Sequence, residues 1–386
     1  MKRLLLVLSL FISIQAVAQQ EGYKFTDEIR LPATSVKDQY RSGTCWSFST
    51  ISFIESEMIR LGTADTSIDL SEMYIVRNCY SDKAEAYVRW HGTINFGGGG
   101  EPHDVMCAIK KYGLVPETAY PGLNYGTKKH NHGELDRVLK AYVDAVVKGK
   151  TLTTAWHNGF DGILDAYFGK LPKTFTYKGK EYTPQSFAKA SKINPDNYVA
   201  ITSFSNHPFF TRFILEMPDN WKMKEFWNVP LDDMLRVIDN ALENGYTVAW
   251  SADVSEPYFS YRNGVAVVPA MLFATNEGTE WARWEKLPRK ERYQLDKPGK
   301  EMKITQEIRQ KAWDNWETTD DHGMHIIGRA HDQNGTTYYI VKNSWNTDNP
   351  YKGYLYVSKA YVAYKTISIM VHKDALPKDL KKKLDL

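Results

Sequence analysis

Residues 39–49, QYRSGTCWSFS, set one cysteine, Cys45, among small residues, with a tryptophan after it and a glutamine six positions before it. A thiol attacks as its thiolate, and a free thiol has a pKa of about 8.5. A helix that begins at Cys45 would place the partial positive charge of its first N–H groups beside the sulfur and favour the anion. A nucleophile also needs a base. The stretch TDDHGMHIIGRAH offers His322, His325 and His331. As a strand, 322–329 puts His322, Met324 and Ile326 on one face and His325 on the other. That alternation splits the histidines and argues against a metal site, so no metal is expected. Asn343, in YYIVKNSWN, ends a strand joined to the histidine strand by the Asn334-Gly335 hairpin signal. A side-chain amide there can bond a ring nitrogen and set its tautomer, while Trp345 shields the bond from water. Gln39 brings amide N–H donors that can join the Cys45 N–H around the negative oxygen of a tetrahedral intermediate. Each residue also has an ordinary reading: a small core cysteine, surface histidines, a strand-end turn, a solvated loop glutamine. Only their combination singles them out.

The elements that must hold these residues read in two groups. Ile51, Ile54, Met58 and Leu61 recur at helical spacing through 44–61, with Gly62 as a stop, so Cys45 falls at a helix N-terminus. A glycine-rich loop, NFGGGG at 95–100, precedes a helix over 104–112. Leu231 to Leu242 reads as another helix, stopped by Asn244-Gly245. The last third changes character. Residues 246–254, 322–330, 337–343, 353–358 and 366–372 read as strands. Helices first and strands last predict an α+β protein of two lobes. The aromatic, charged stretch 123–230 has no clear period and is read as an insertion in the first lobe.

The chain has 386 residues, 42% of them hydrophobic, which is enough to build a substantial core. The opening MKRLLLVLSLFISIQAVAQQ has the basic start, short apolar run and small-residue cleavage site of an export signal, read here as 1–18. Its removal takes two basic residues from a formal net charge of +3 and leaves no expected membrane span. No basic, aromatic-interleaved patch suggests nucleic acid. An exported chain with three cysteines, Cys45, Cys79 and Cys107, keeps at least one thiol free or paired with another molecule. A Cys79–Cys107 bridge stays open, although Cys107 in DVMCAIKKYG reads more simply as a small core residue.

VKDQYRSGTCWSFST, DHGMHIIG, KNSW and KGYLYVS occur in this order and together strongly resemble the papain-like cysteine peptidases. The resemblance implies a helical lobe carrying the thiol and an antiparallel β-barrel-like lobe carrying the histidine. On that footing Cys45 is the nucleophile, His322 the general base and acid, Asn343 the orienting amide and Gln39 the oxyanion donor. Gly99 and Gly100 are the substrate-backbone residues. It implies peptide substrates, no cofactor and a possible homo-oligomer. The boundaries that follow are a helical lobe over 40–243 including the 123–230 insertion, a β lobe over 244–375 plus the N-terminal segment, and a tail at 376–386. DLSEMYIVRNCY, KKYGLVPETAYP and SADVSEPYF, with Ser42 where the secreted papain branch has a cysteine, bring the chain nearer the bleomycin hydrolase and aminopeptidase C branch. Members of that branch are typically intracellular, and their C-terminal arm reaches the active site; here an export signal leads and the chain ends KDLKKKLDL. The expected activity is an exported, periplasmic or secreted, aminopeptidase. An endopeptidase with an open cleft and a non-catalytic peptide-binding protein on the same fold are the alternatives.

Overall fold

The computed structural model describes residues 22–270, 278, 280–288 and 295–386; the expected export signal lies outside them. Strand β1 (Thr26–Arg30) leads into α1 (Cys45–Arg60), α2 (Glu72–Arg89) and α3 (Pro102–Tyr112). Helix α1 is buried on every side from Trp46 to Met58. Ile51, Phe53 and Ile54 are wholly inaccessible, each worth about 1.5–3 kcal/mol of burial. The rest of its surface is Ser, Thr and Glu, small enough or paired enough to lie inside. Leu61, expected on the core face, is instead the exposed C-cap.

The segment 123–230 is not confined to the first lobe. Its first part does join the helices: α4 (Gly133–Val147), α5 (Ala155–Phe168), the hairpin of β2 (Phe175–Tyr177) and β3 (Lys180–Tyr182), and α6 (Pro184–Ser191). Leu139, Val143, Phe160, Leu164 and Phe187 share one core with α1–α3. Its second part crosses over. β4 (Tyr198–Thr202), β5 (Thr211–Ile214) and β6 (Glu225–Asn228) extend the sheet of the second lobe, with β4 paired to the late strand β13 (Thr366–His372). The expected lobe boundary near 243 therefore falls earlier, because the backbone of 198–202 finds its hydrogen-bond partners at 369–372.

After α7 (Leu231–Glu243) come β7 (Val248–Ala252), β8 (Phe259–Ser260), β9 (Val265–Ala266), β10 (His322–His331), β11 (Thr337–Lys342) and β12 (Tyr354–Ser358). With β1, β4–β6 and β13 they form one 11-stranded sheet. Most described pairs are antiparallel; β12·β9 and β4·β6 are parallel. The Asn334-Gly335 signal is a real reversal: Asp332 Oδ1 accepts the N–H of Asn334 and Thr336 at 2.9 Å each.

The sheet has two differently covered faces. Met324, Trp250 and Ile369 sit side by side across three strands in the core that includes α7. One residue along, Ala249 and Met370 belong to the core of α1–α3, and their neighbour His325 faces α1. The helices α1 and α7 thus pack on opposite faces. In the tail the helix Lys378–Lys383 buries Leu380, Leu384 follows, and both lie in the core on the α7 face, with Asp379 paired to Arg236 at 2.8 Å.

Candidate active site

The N-terminus of α1 abuts the start of β10. A Cβ added to Gly323 would stand 2.7 Å from Ser49 Oγ and 3.3 Å from Cys45 O, so only glycine lets the helix approach this closely. Cys45 as a residue is only partly accessible, and its thiol lies inside. Burial pushes it up to about 12; the Gly323 and Trp46 N–H groups pull it down, and the charges of Asp320 and Asp219 push it further up. Thr44, the N-cap residue, makes no side-chain cap. Its hydroxyl is taken by Ser42 Oγ at 2.6 Å. Ser47 N–H donates to Thr44 O at 3.0 Å and Trp46 N–H faces the thiol, which leaves the Cys45 N–H for an incoming oxygen.

His322 is buried at the strand start, and its Nε2 lies 2.7 Å from Asn343 Oδ1. That oxygen also accepts the Ser344 N–H at 2.8 Å. An atom that accepts from a backbone N–H is the carbonyl oxygen of the amide, so Nε2 must be the donor and Nδ1 holds the lone pair. Trp345 stacks on the ring, centroids 4.4 Å apart. Burial pushes His322 down to about 4, with the Asn343 bond opposing. Burial alone thus favours a neutral thiol and a neutral imidazole. A proton moved from a thiol to an imidazole close by leaves two opposite charges that stabilise one another.

Gln39 is buried in the loop before α1. Its Nε2 donates to Ser42 O at 2.9 Å, its Oε1 accepts from Ser344 Oγ at 2.6 Å, and its N–H donates to Ser344 O at 2.9 Å. The loop before the cysteine and the turn after Asn343 are stapled together by this one side chain. The second Nε2 hydrogen has no acceptor among the described residues. The glycine loop packs on the same loop: Trp46 Nε1 donates to Gly98 O at 2.9 Å, and buried Lys83 donates to Gly97 O and Gly99 O. Gly100 lies against Asp104 and Trp46. The edge of Gly99 is occupied: a Cβ there would meet Asp219 Oδ2 at 1.9 Å.

Alternation is right about His325 and incomplete about its surroundings. It points away from His322, into α1, and is fully buried. Ser52 Oγ accepts from Lys342 Nζ at 2.7 Å and hydrogen-bonds with His325 Nδ1 at 2.9 Å. His331 pairs with Glu28 at 2.9 Å on the surface. Among the described residues no group of histidines, cysteines and carboxylates could hold a metal ion, and Cys45, Cys79 and Cys107 are all free thiols. Asp219, Asp320 and Glu101 went unnoticed in the sequence because nothing local sets them apart. They come from three distant segments.

Residues 26–172 match the family described as papain family cysteine protease, and residues 293–386 match the peptidase C1-like family. The chain belongs with the papain-like cysteine peptidases, on their aminopeptidase C branch. Aminopeptidase G of Lactobacillus delbrueckii subsp. lactis is 22% identical over 393 residues, covering 90% of this chain and 83% of that protein. Aminopeptidase C of Lactobacillus helveticus is 24% identical over 396 residues, covering 90% and 81%. The crystal structure of pepw from Lactobacillus rhamnosis HN001 superposes with a TM-score of 0.70 at 19% identity, over 93% of this chain and 84% of that one. The peptidase therefore shares this fold over most of its length.

Proposed function

We propose that this papain-like cysteine peptidase is an exported aminopeptidase that works through Cys45, His322, Asn343 and Gln39. The observation that carries the reading is the Nε2–Oδ1 bond of His322 and Asn343 under the Trp345 ring, on the strand whose next residue, Gly323, touches Cys45. In this mechanism Nδ1 of His322 takes the thiol proton and the thiolate attacks the peptide carbonyl carbon. The Cys45 N–H and the uncommitted Gln39 N–H hold the resulting oxyanion. His322 then returns the proton to the leaving amine as the C–N bond breaks and a thioester remains. Water, deprotonated by the same imidazole, attacks the thioester, releasing the carboxylate and restoring the thiol.

The names of the relatives support action at peptide N-termini, and the basic-then-apolar opening of the chain supports export. The decisive experiment compares Cys45→Ala with wild type. Iodoacetamide labelling and turnover of unblocked peptides should disappear together while the thermal melt is unchanged. Residual cleavage by the purified variant would remove Cys45 from the mechanism, and no cleavage by wild type would favour a peptide-binding protein.

A further inference from the structure

The loop Leu215–Met223, between β5 and β6, is bolted onto the first lobe. Asn220 Nδ2 donates to Leu215 O at 3.0 Å and to Lys224 O at 2.9 Å, closing the loop on itself. Trp221 Nε1 donates to Asp104 Oδ2 at 3.0 Å, tying it to α3. Glu216, Met217 and Pro218 line two hollows, one shared with Thr93 and Asn95 and the other with Trp313 and Asp320, so the loop stands as a ridge between them. Asp219 is at its tip. Asn95 Nδ2 donates to Oδ1 at 3.1 Å. The other oxygen, Oδ2, makes no hydrogen bond among the described residues and lies directly over the Gly99 backbone. Its charge reaches the Cys45 thiol.

Two consequences meet here. A peptide running along the glycine loop past Gly99 would collide with a carboxylate held in place by a fixed loop. The same carboxylate has an unused acceptor oxygen, which suits an ammonium group. We propose that Asp219 ends the cleft and accepts the free α-ammonium of the substrate's first residue. The inference rests on the aminopeptidase reading and names the group that would enforce it. Burial pushes Asp320 up to about 8 and Glu101 well above its ordinary range, and the two carboxyls act on one another. Burial raises Asp219 above its ordinary value as well, and the Lys83 charge and the Asn95 bond pull it back. The tail cannot supply this anion through its buried residues, since Leu380 and Leu384 anchor it in the core on the other face of the sheet.

The test uses one aminoacyl-coumarin substrate in free-amine, N-acetyl and des-amino forms, with wild type, Asp219→Asn and Asp219→Ala. Wild type should cleave the free amine far better than the other two. Asp219→Asn should lose about 10- to 100-fold in kcat/KM on the free amine, the usual size of a charge-assisted hydrogen bond, and nothing on the des-amino form. Asp219→Ala should in addition begin to cut acetylated peptides at internal bonds. The rate of Cys45 alkylation should not fall, because losing the Asp219 charge eases ionisation of the thiol, and Asp219→Ser makes the same comparison if the amide variant does not fold. If wild type requires the free amine and neither variant alters the preference, another group binds the ammonium and the proposal is overturned. If wild type cleaves acetylated and free substrates alike, the aminopeptidase reading itself fails, whatever Asp219 does.

Discussion

Replacing Asn343 separates what its carbonyl oxygen does from what its nitrogen does. Oδ1 receives two donors, His322 Nε2–H and Ser344 N–H, whereas Nδ2 is buried with no partner among the described residues. Asn343→Ala therefore orphans two buried donors and forfeits no donated bond. Each orphan costs about 1–3 kcal/mol, so a loss of about 2–6 kcal/mol in stability is expected, most of it recoverable in Asn343→Asp, which keeps an acceptor in place. The preference for the Nε2–H tautomer disappears in Asn343→Ala. At about 1–3 kcal/mol, kcat/KM should fall by about 10- to 100-fold in the protein that stays folded. Asn343→Asp sets a carboxylate against the ring, which favours imidazolium and raises the pKa of His322 from about 4. The acid limb of its kcat/KM profile should move to higher pH. The assays are urea unfolding and kcat/KM against pH for wild type and both variants, normalised to alkylatable thiol. An alanine variant with wild-type melting and kinetics, or an aspartate variant with an unmoved acid limb, would show that this amide does not govern the imidazole.

Two other outcomes follow from the buried polar groups. His325→Ala should destabilise the fold by about 1–3 kcal/mol because it leaves a hole beside α1 and takes a partner from Ser52; turnover per alkylatable thiol should stay at the wild-type level, and a selective loss of turnover would return His325 to the chemistry. Asp320 concerns pH. Burial first, then the charges of Asp219 and Asp321, push it from 3.8 up to about 8. Between those values the native carboxyl holds a proton that the unfolded chain has released. The native state then binds more protons, and stability falls as pH rises through that window. Asp320→Asn should flatten this decline in the urea midpoint measured from pH 5 to pH 9; an identical slope would mean Asp320 is ionised in the native state.

The parts of this peptidase legible in its sequence are those whose cause is local. The start of α1 at Cys45, the amphipathic α7, the alternation that parts His322 from His325 and the Asn334-Gly335 reversal each follow from residues within a few positions of one another. The motifs around Cys45, His322 and Asn343 were readable for the same reason, since each surrounds its residue with a distinctive neighbourhood. What the tertiary structure decided is everything that depends on a distant partner. Leu61 has the apolar character and spacing of a core residue, and stays outside because α1 ends there and Leu61 serves as its exposed C-cap. The tail KDLKKKLDL is mostly charged, yet Leu380 and Leu384 find a core built by α7 and the sheet. The segment 123–230 shows no single period because it serves two lobes, giving helices to one core and three strands to the other's sheet. Asp219 is an ordinary loop aspartate until the crossing of that segment sets it over Gly99, 120 positions earlier in the chain. Periodicity reports which face of an element is buried; which surface covers it is set by long-range packing, and in this molecule the shape of the cleft was settled there.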